Sequence, residues 1–297
     1  MTEFPRRQFL KFALGGALAV AGEAWESAAA AEPAGPPAAF LSDSVTTAAQ
    51  NLAKSAFAAP KPDLPAPLAS LTFDQYNAIR RKPGTGVWED GAASFAVEPL
   101  PRGFLFAAPV ELYLVEDGMA RKLAFDPSAF DFGKLEVPKN IGDIGFSGIR
   151  IRKRGAADGW MDAAIFQGAS FFRSLARGQT YGLTSRGLSI HAGDSQGEEF
   201  PFFRSLWIEK PSPAADALVI HALLDSASLT GAFRFTIRVV EATIIDTELT
   251  LFARVAVDHL GLGTMAGPYL FGPLDHLHPD DVRESARAVG GLQILTG

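Results

Sequence analysis

Cysteine is absent from this chain. No disulfide can staple it, and no thiolate can act as nucleophile or metal ligand. That fits an exported protein held together by burial alone. Beyond the N-terminal segment, no apolar run approaches the roughly 20 residues that a membrane-spanning helix needs. A basic surplus is lacking as well. The net charge is −6 and no basic run occurs, which excludes a nucleic-acid partner and an anionic membrane surface. A neutral polymer suits the charge better. The sequence has no Gly-rich phosphate loop and no G-x-S-x-G nucleophile word. No cofactor is expected.

The N-terminus has an order of its own. Arg6 and Arg7 precede Phe9, Leu10 and Lys11; an apolar run, Phe12 to Gly22, follows; then come Ala28, Ala29, Ala30 and Ala31. A charged region, an apolar region and a small-residue cleavage site make a signal peptide over residues 1–31. The paired arginines point to the twin-arginine export route. Its translocation machinery is one expected partner, and the periplasm the expected location. Residues 32–43, rich in Pro and Ala, read as a flexible start to the mature chain.

Residues 44–297 read as one domain. Val45, Ala48, Ala49, Leu52 and Ala56 share one helical face in Ser44 to Ala59, with Pro60 as the stop. Thr72 and Gln75 form a capping box ahead of Phe73, Tyr76 and Ile79. After Trp88 the period becomes two. Phe104 to Val115 reads as a strand, and Gly148 to Lys153 sets Ile149 and Ile151 against Arg150 and Arg152. Ile245 to Val257 sets an apolar face against Asp246, Glu248, Thr250, Arg254 and Asp258. The 23 phenylalanines also favour strands. The pattern predicts a mainly all-β chain, a β-sandwich with a short helical N-terminus.

Chemistry concentrates in Phe166 to Phe203 and Ala222 to Phe235, where aromatics, arginines, carboxylates and glycines interleave. Such a mixture suits a cleft that stacks rings on sugars and hydrogen-bonds hydroxyls with planar ions. The candidate ligand-holding residues are Arg173, Tyr181, Arg186, Glu198, Glu199, Trp207, Asp225 and Arg234. The competing reading makes Phe171 and Phe172 core, with Arg173 and Arg186 paired to Glu198 or Glu199. Glu198 and Glu199 are adjacent, so in a strand they point to opposite faces. Asp275-His276-Leu277-His278 reads as a polar loop rather than a metal site.

Several of these words occur together in a known family. GASFFRSLARGQTYGLTSRGLSI, GEEFPFF, ALLDSASLTGAFRF, GFSGIR (Gly145 to Arg150) and FDQYNAIR (Phe73 to Arg80) keep that family's order. The chain resembles the periplasmic glucan biosynthesis proteins G and D, the MdoG/OpgG family, over Phe73 to Leu295. The leader tilts it toward the D type. The resemblance implies a large sandwich of galactose-mutarotase-like type with a glucan cleft, followed by an immunoglobulin-like domain. Here the second domain is expected to be missing and the first incomplete at its C-terminal end. The resemblance also implies a role in osmoregulated periplasmic glucan biosynthesis on a β-1,2-linked glucan backbone. Other glucan-synthesis proteins at the inner membrane are then expected partners.

Activity is a separate matter. Glycoside hydrolysis needs two carboxyl groups. D-type members resemble inverting β-1,2-glucan hydrolases, with the general base in a word HDSDGL after Asp-Asp-x-Arg. Asp280-Asp281-Val282-Arg283 matches the start, and Gly291-Leu292 the end. Aligned without gaps, the base position is Ala288, which cannot take a proton. A gapped alignment brings Glu284 there, followed by Ser285. The resemblance places the general acid beyond this word, outside the chain. No intact catalytic pair is expected, and whether the chain is an enzyme stays open. The alternatives are a non-catalytic carbohydrate-binding module and an inactive truncated product.

Overall fold

A computed structural model describes residues 33–138, 141–155, 159–176, 183–195, 197–266, 269–272, 282–283 and 285–287. The chain opens with β1 (Pro33–Ala39), α1 (Ser44–Ala53), α2 (Ala66–Ala69) and α3 (Phe73–Ala78). Short β2 (Arg80–Arg81) leads to β3 (Phe95–Leu100), β4 (Glu111–Glu116), β5 (Met119–Leu123) and β6 (Phe130–Asp131). Next come β7 (Gly148–Arg154), β8 (Trp160–Gln167), β9 (Phe171–Ser174), β10 (Thr184–Arg186) and β11 (Leu188–Ile190). The long strands follow: β12 (Phe202–Glu209), β13 (Ala217–Asp225), β14 (Leu229–Val239) and β15 (Thr243–Ala253). Four short strands close the list: β16 (Leu260–Leu262), β17 (Met265–Ala266), β18 (Tyr269–Phe271) and β19 (Ala286–Arg287).

These strands build a sandwich. A seven-stranded sheet runs β1-β5-β4-β12-β13-β14-β15, and a six-stranded sheet runs β17-β10-β9-β8-β7-β3. The chain leaves the first sheet after β5, builds most of the second, and returns at β12, which pairs parallel with β4. Strand alternation decides what lies between the sheets. Ile149, Ile151 and Phe166 from one sheet, and Ile208, Ile220 and Phe235 from the other, are all buried in one core. Phenylalanines dominate its centre. The ring of Phe235 lies 5.0 Å from Phe166, 5.3 Å from Phe172 and 5.9 Å from Phe203. Each such ring contributes about 1.5–3 kcal/mol by burial, plus a smaller gain from edge-to-face geometry. No cysteine is needed to hold this core.

Local signals account for the elements that flank it. The capping box of α3 is present, with Thr72 accepting from the Gln75 amide and Gln75 accepting from the Thr72 amide. Val45 and Ala49 of α1 are buried against Ala232 on the outer face of the seven-stranded sheet. Asp117 and Gly118, at φ +50° and +73°, make the tight turn from β4 to β5, as hairpins with two left-handed residues require. In β15, Asp246 pairs with Arg238 and Glu248 with Arg234 on the wet face.

Three expectations need correction. Residues 33–39 form β1, paired antiparallel with β5, so the segment 32–43 is not simply flexible. As an edge strand it needs hydrogen bonds on one side only, which tolerates its prolines. Phe40 anchors it, 6.1 Å from Trp207 and 5.2 Å from His221. Helix α1 stops at Ala53 rather than running to Pro60. The Arg254 guanidinium takes the carbonyls of Leu52 and Ser55 at its end, and Phe57 turns toward Phe202. Within Phe104 to Val115, only the part from Glu111 onward is strand.

Gly148 begins β7 at φ +153°, and a Cβ there would sit 2.0 Å from the Phe166 carbonyl oxygen. Gly148→Ala should therefore force β7 and β8 apart. A loss of about 3 kcal/mol or more is expected in urea unfolding.

Candidate functional site

The outer face of the six-stranded sheet follows from a simple pattern. In β7 the isoleucines point inward, so Arg150 and Arg152 point outward. Register then lines up residues from four strands. Glu98 of β3 faces Arg150, Arg150 faces Ile165 of β8, and Ile165 faces Arg173 of β9. Beside this row, Ala96, Arg152 and Asp162 form a second. Ion pairs knit the rows together. Arg150 stands 3.4 Å from Glu98 and 3.6 Å from Asp162; Arg152 stands 3.0 Å from Glu89 and 3.8 Å from Asp162.

Helix α3 forms one wall over this floor. The Tyr76 hydroxyl donates to the Pro101 carbonyl at 2.9 Å and accepts from Gln167 at 2.7 Å. Gln167 also donates to Ser147, which donates to the same carbonyl. Burial pushes the Tyr76 phenol up from its ordinary 10.0, so it stays protonated. Phe106 lies 5.5 Å from the Tyr76 ring, and Phe73 is 61% exposed at the rim. Arg80 and Arg81 leave the end of α3 and line the same space.

The result is a groove of about 550 Å³ bounded by α3, Arg150, Gln167 and Arg173. A second hollow of about 250 Å³, holding Arg152 and Asp162, shares Arg80, Arg81, Glu98 and Arg150 with it. Together they make one trough of guanidinium and amide donors, carboxylate acceptors and aromatic edges. That is the chemistry for gripping a polyhydroxylated ligand.

The residues nominated from sequence divide among three places. Arg173 lines the trough. Arg186 pairs with Phe171 across β9–β10, and Phe171 shares a face with Arg173, so Arg186 lies on the same outer face. Glu198 forms an ion pair with Arg186, whose guanidinium also lies 5.3 Å from the Phe171 ring and 5.8 Å from Phe200. Phe172 points into the core and Phe171 out of it. Glu199 turns elsewhere and accepts from the Ser228 amide at 2.9 Å and hydroxyl at 2.6 Å. Asp225 is fully buried between Arg204, at 2.7 Å, and Arg254, at 2.6 Å. Trp207 and Arg234 lie on the outer face of the opposite sheet. Trp207 stacks on Tyr113 at 5.1 Å, and Arg234 pairs with Glu248 at 2.8 Å. Tyr181, Glu284, Ala288 and the stretch Asp275 to His278 lie outside the described residues.

Sequence reasoning missed Tyr76, Arg81, Glu98, Asp162 and Gln167 as site residues. FDQYNAIR and the Ile-Arg-Ile-Arg alternation carried the available signal. Their meeting depends on strand register.

The buried ions have structural consequences. Asp225→Ala should leave two arginines facing an uncompensated site and cost about 3–5 kcal/mol in urea unfolding. Burial alone would raise the Glu199 carboxyl, but hydrogen bonds from Ser226 and Ser228 outweigh it and hold it below the ordinary 4.5. That contribution is complete above the ordinary value and disappears as pH falls through the depressed one. Glu199→Gln should flatten the acid limb of stability against pH, read from thermal melts.

A family model described as "Periplasmic glucan biosynthesis protein, MdoG" matches residues 40–297. The chain is 40% identical over 262 residues to Glucans biosynthesis protein G of Rhodopseudomonas palustris (strain BisA53), covering 88% of this chain and 52% of the relative. It is 39% identical over 293 residues to Glucans biosynthesis protein G of Bradyrhizobium diazoefficiens, covering 98% and 58%. A Vibrio cholerae protein of the same name is 40% identical over 261 residues, covering 87% and 48%. The chain thus spans about half the length of the curated relatives it matches. These relatives bear the G name; the D-type expectation rests mainly on the twin-arginine pattern of the sequence. The chain belongs to the MdoG family of periplasmic glucan biosynthesis proteins.

Proposed function

We propose that this chain serves periplasmic glucan biosynthesis by holding a glucan strand, with a β-1,2-linked backbone, along the outer face of its six-stranded sheet. One observation carries the reading: the in-register row Glu98, Arg150, Ile165 and Arg173, walled by Tyr76. An acceptor, a donor, an apolar side chain and a second donor fixed in one row suit the hydroxyls and apolar patches of a sugar, and the aromatic edges suit its apolar faces. Membership in the family supports the ligand class. The twin-arginine leader supports export through the translocation machinery to the periplasm. No helix among the described residues is long and apolar enough to cross a membrane. Other glucan-synthesis proteins at the inner membrane are the natural partners of such a holder.

The reading is a binding role rather than cleavage. Among the described residues the trough's carboxylates are Glu89, Glu98 and Asp162, and each already faces a guanidinium. They serve as fixed acceptors, whereas hydrolysis also needs a carboxylic acid kept ready to donate a proton.

Calorimetric titration with linear β-1,2-glucan is the test. Binding is expected, with no shorter glucans released on prolonged incubation. Arg150→Gln should weaken binding about tenfold or more, since a hydrogen bond to a charged group is worth roughly 1.5–3 kcal/mol. Arg234→Gln, on the opposite sheet, should leave it unchanged. A well-folded sample that binds no glucan, or one in which only Arg234→Gln matters, would overturn the assignment.

A further inference from the structure

The trough carries more positive charge than a neutral ligand requires. Among the described residues, six basic side chains line it against three acidic ones, in a chain whose net charge is −6. The acids are shared between Arg150 and Arg152. Arg81 has a different setting. Its Nε and Nη2 both donate to the Thr85 carbonyl, and its guanidinium lies 5.2 Å from the centre of the Phe130 ring. Its Nη1 is buried with no hydrogen-bond partner among the described residues, whereas the Nε of Arg150 faces the Asp162 carboxylate at 3.6 Å. Leaving buried N–H groups unbonded is costly. Both arginines line the same trough, with Arg80 exposed at its rim, one nitrogen 3.1 Å from the Ile79 carbonyl.

The under-used guanidinium of Arg81 and the exposed one of Arg80 beside it make a site for a group with several acceptor oxygens and a negative charge. We propose that this end of the trough binds an anionic substituent, a carboxylate or a phosphate ester, carried on the sugar chain. This rests on the glucan-holding reading and narrows its substrate class from plain to acid-bearing saccharide. The fork of a guanidinium matches such groups in two-point contact. Burial beside Phe130 limits competition from water and salt.

Calorimetry on the full chain can test this with four probes: glucose, glucuronate, glucose 6-phosphate and inorganic phosphate. Neutral linear β-1,2-glucan is titrated in the same preparation. The two charged sugars should bind about tenfold or more tightly than glucose. That advantage should shrink as salt rises. Both Arg81→Gln and Arg80→Gln should reduce it. Arg81→Gln also removes a contact to Thr85, so the exposed Arg80→Gln carries the test if melting shows Arg81→Gln to be unfolded. Equal affinity for charged and neutral sugars, with neutral glucan still bound, overturns the anion site and leaves the glucan reading standing. Inorganic phosphate binding as tightly as glucose 6-phosphate overturns a sugar-borne anion. Loss of all binding, neutral glucan included, overturns the glucan reading and this inference with it.

Discussion

Strand β7 is hydrogen-bonded on both sides, to β3 and to β8, and the register of those pairings governs the rest. It sends Ile149 and Ile151 into the core with no exposed surface. It sends Arg150 and Arg152 to the opposite face. A slip of one residue would exchange the sets, burying arginines among phenylalanines and exposing the isoleucines. Burying an unpaired ion costs several kcal/mol, so core and trough enforce one register from opposite sides. Gly148 permits it at the strand's start, where no side chain fits against the Phe166 carbonyl. Stability and binding surface are thus two outcomes of one alternation.

Ionic pairs elsewhere show why burial matters to their role. Asp225 is fully enclosed, and its partner Arg254 is 7% exposed. Arg254 also reaches the Leu52 and Ser55 carbonyls, joining the end of α1 to the sheet. Asp225 and Arg254 act as a rivet: both are enclosed, and losing one strands the other. The trough's pairs to Asp162 are looser, at 3.6 and 3.8 Å. Arg150 is 34% exposed and its partner Asp162 36%. Pairs that open to water contribute little to stability, about 0–1 kcal/mol. Their oxygens and N–H groups therefore remain ready to trade water for hydroxyls. Arginine and carboxylate residues that look alike in sequence are separated by exposure into scaffold and surface.

Much of the fold was legible because its signals are local. The α3 capping box needs only Thr72 and Gln75. The wet and dry faces of β15 need only their own alternation, and the β4–β5 turn only Asp117 and Gly118. The site was legible in part. Arg173 and Arg186 were nominated from composition, and both lie on the outer face of the six-stranded sheet. Glu198 follows Arg186, while its neighbour Glu199 departs for Ser228, as adjacent strand-like residues must. Asp225, Trp207 and Arg234 have the same composition in another environment. One is sealed in the core's edge, and two are on the far sheet. Residue type could not separate these cases, because burial is decided by partners distant in sequence. Glu98 and Arg173 share a row only because β3, β7, β8 and β9 are stacked in register.

That row also bears on why the proposed site lies across a sheet rather than in a closed pocket. Neighbouring strands are about 4.8 Å apart, so four strands carry side chains over roughly 14 Å. Along one strand, outward residues repeat at a fixed step but come from one stretch of sequence. Across strands, each step draws on a different stretch, so acceptor, donor, apolar and donor can be chosen independently: Glu98, Arg150, Ile165, Arg173. A saccharide chain repeats its hydroxyls and apolar patches at a fixed interval too. A ligand lying across the strands meets a periodic array whose chemistry varies from step to step. The sheet supplies the spacing through backbone hydrogen bonds, and the outer-face side chains supply the chemistry. Helix α3, held by Tyr76 to Pro101 and Gln167, walls one side of that array.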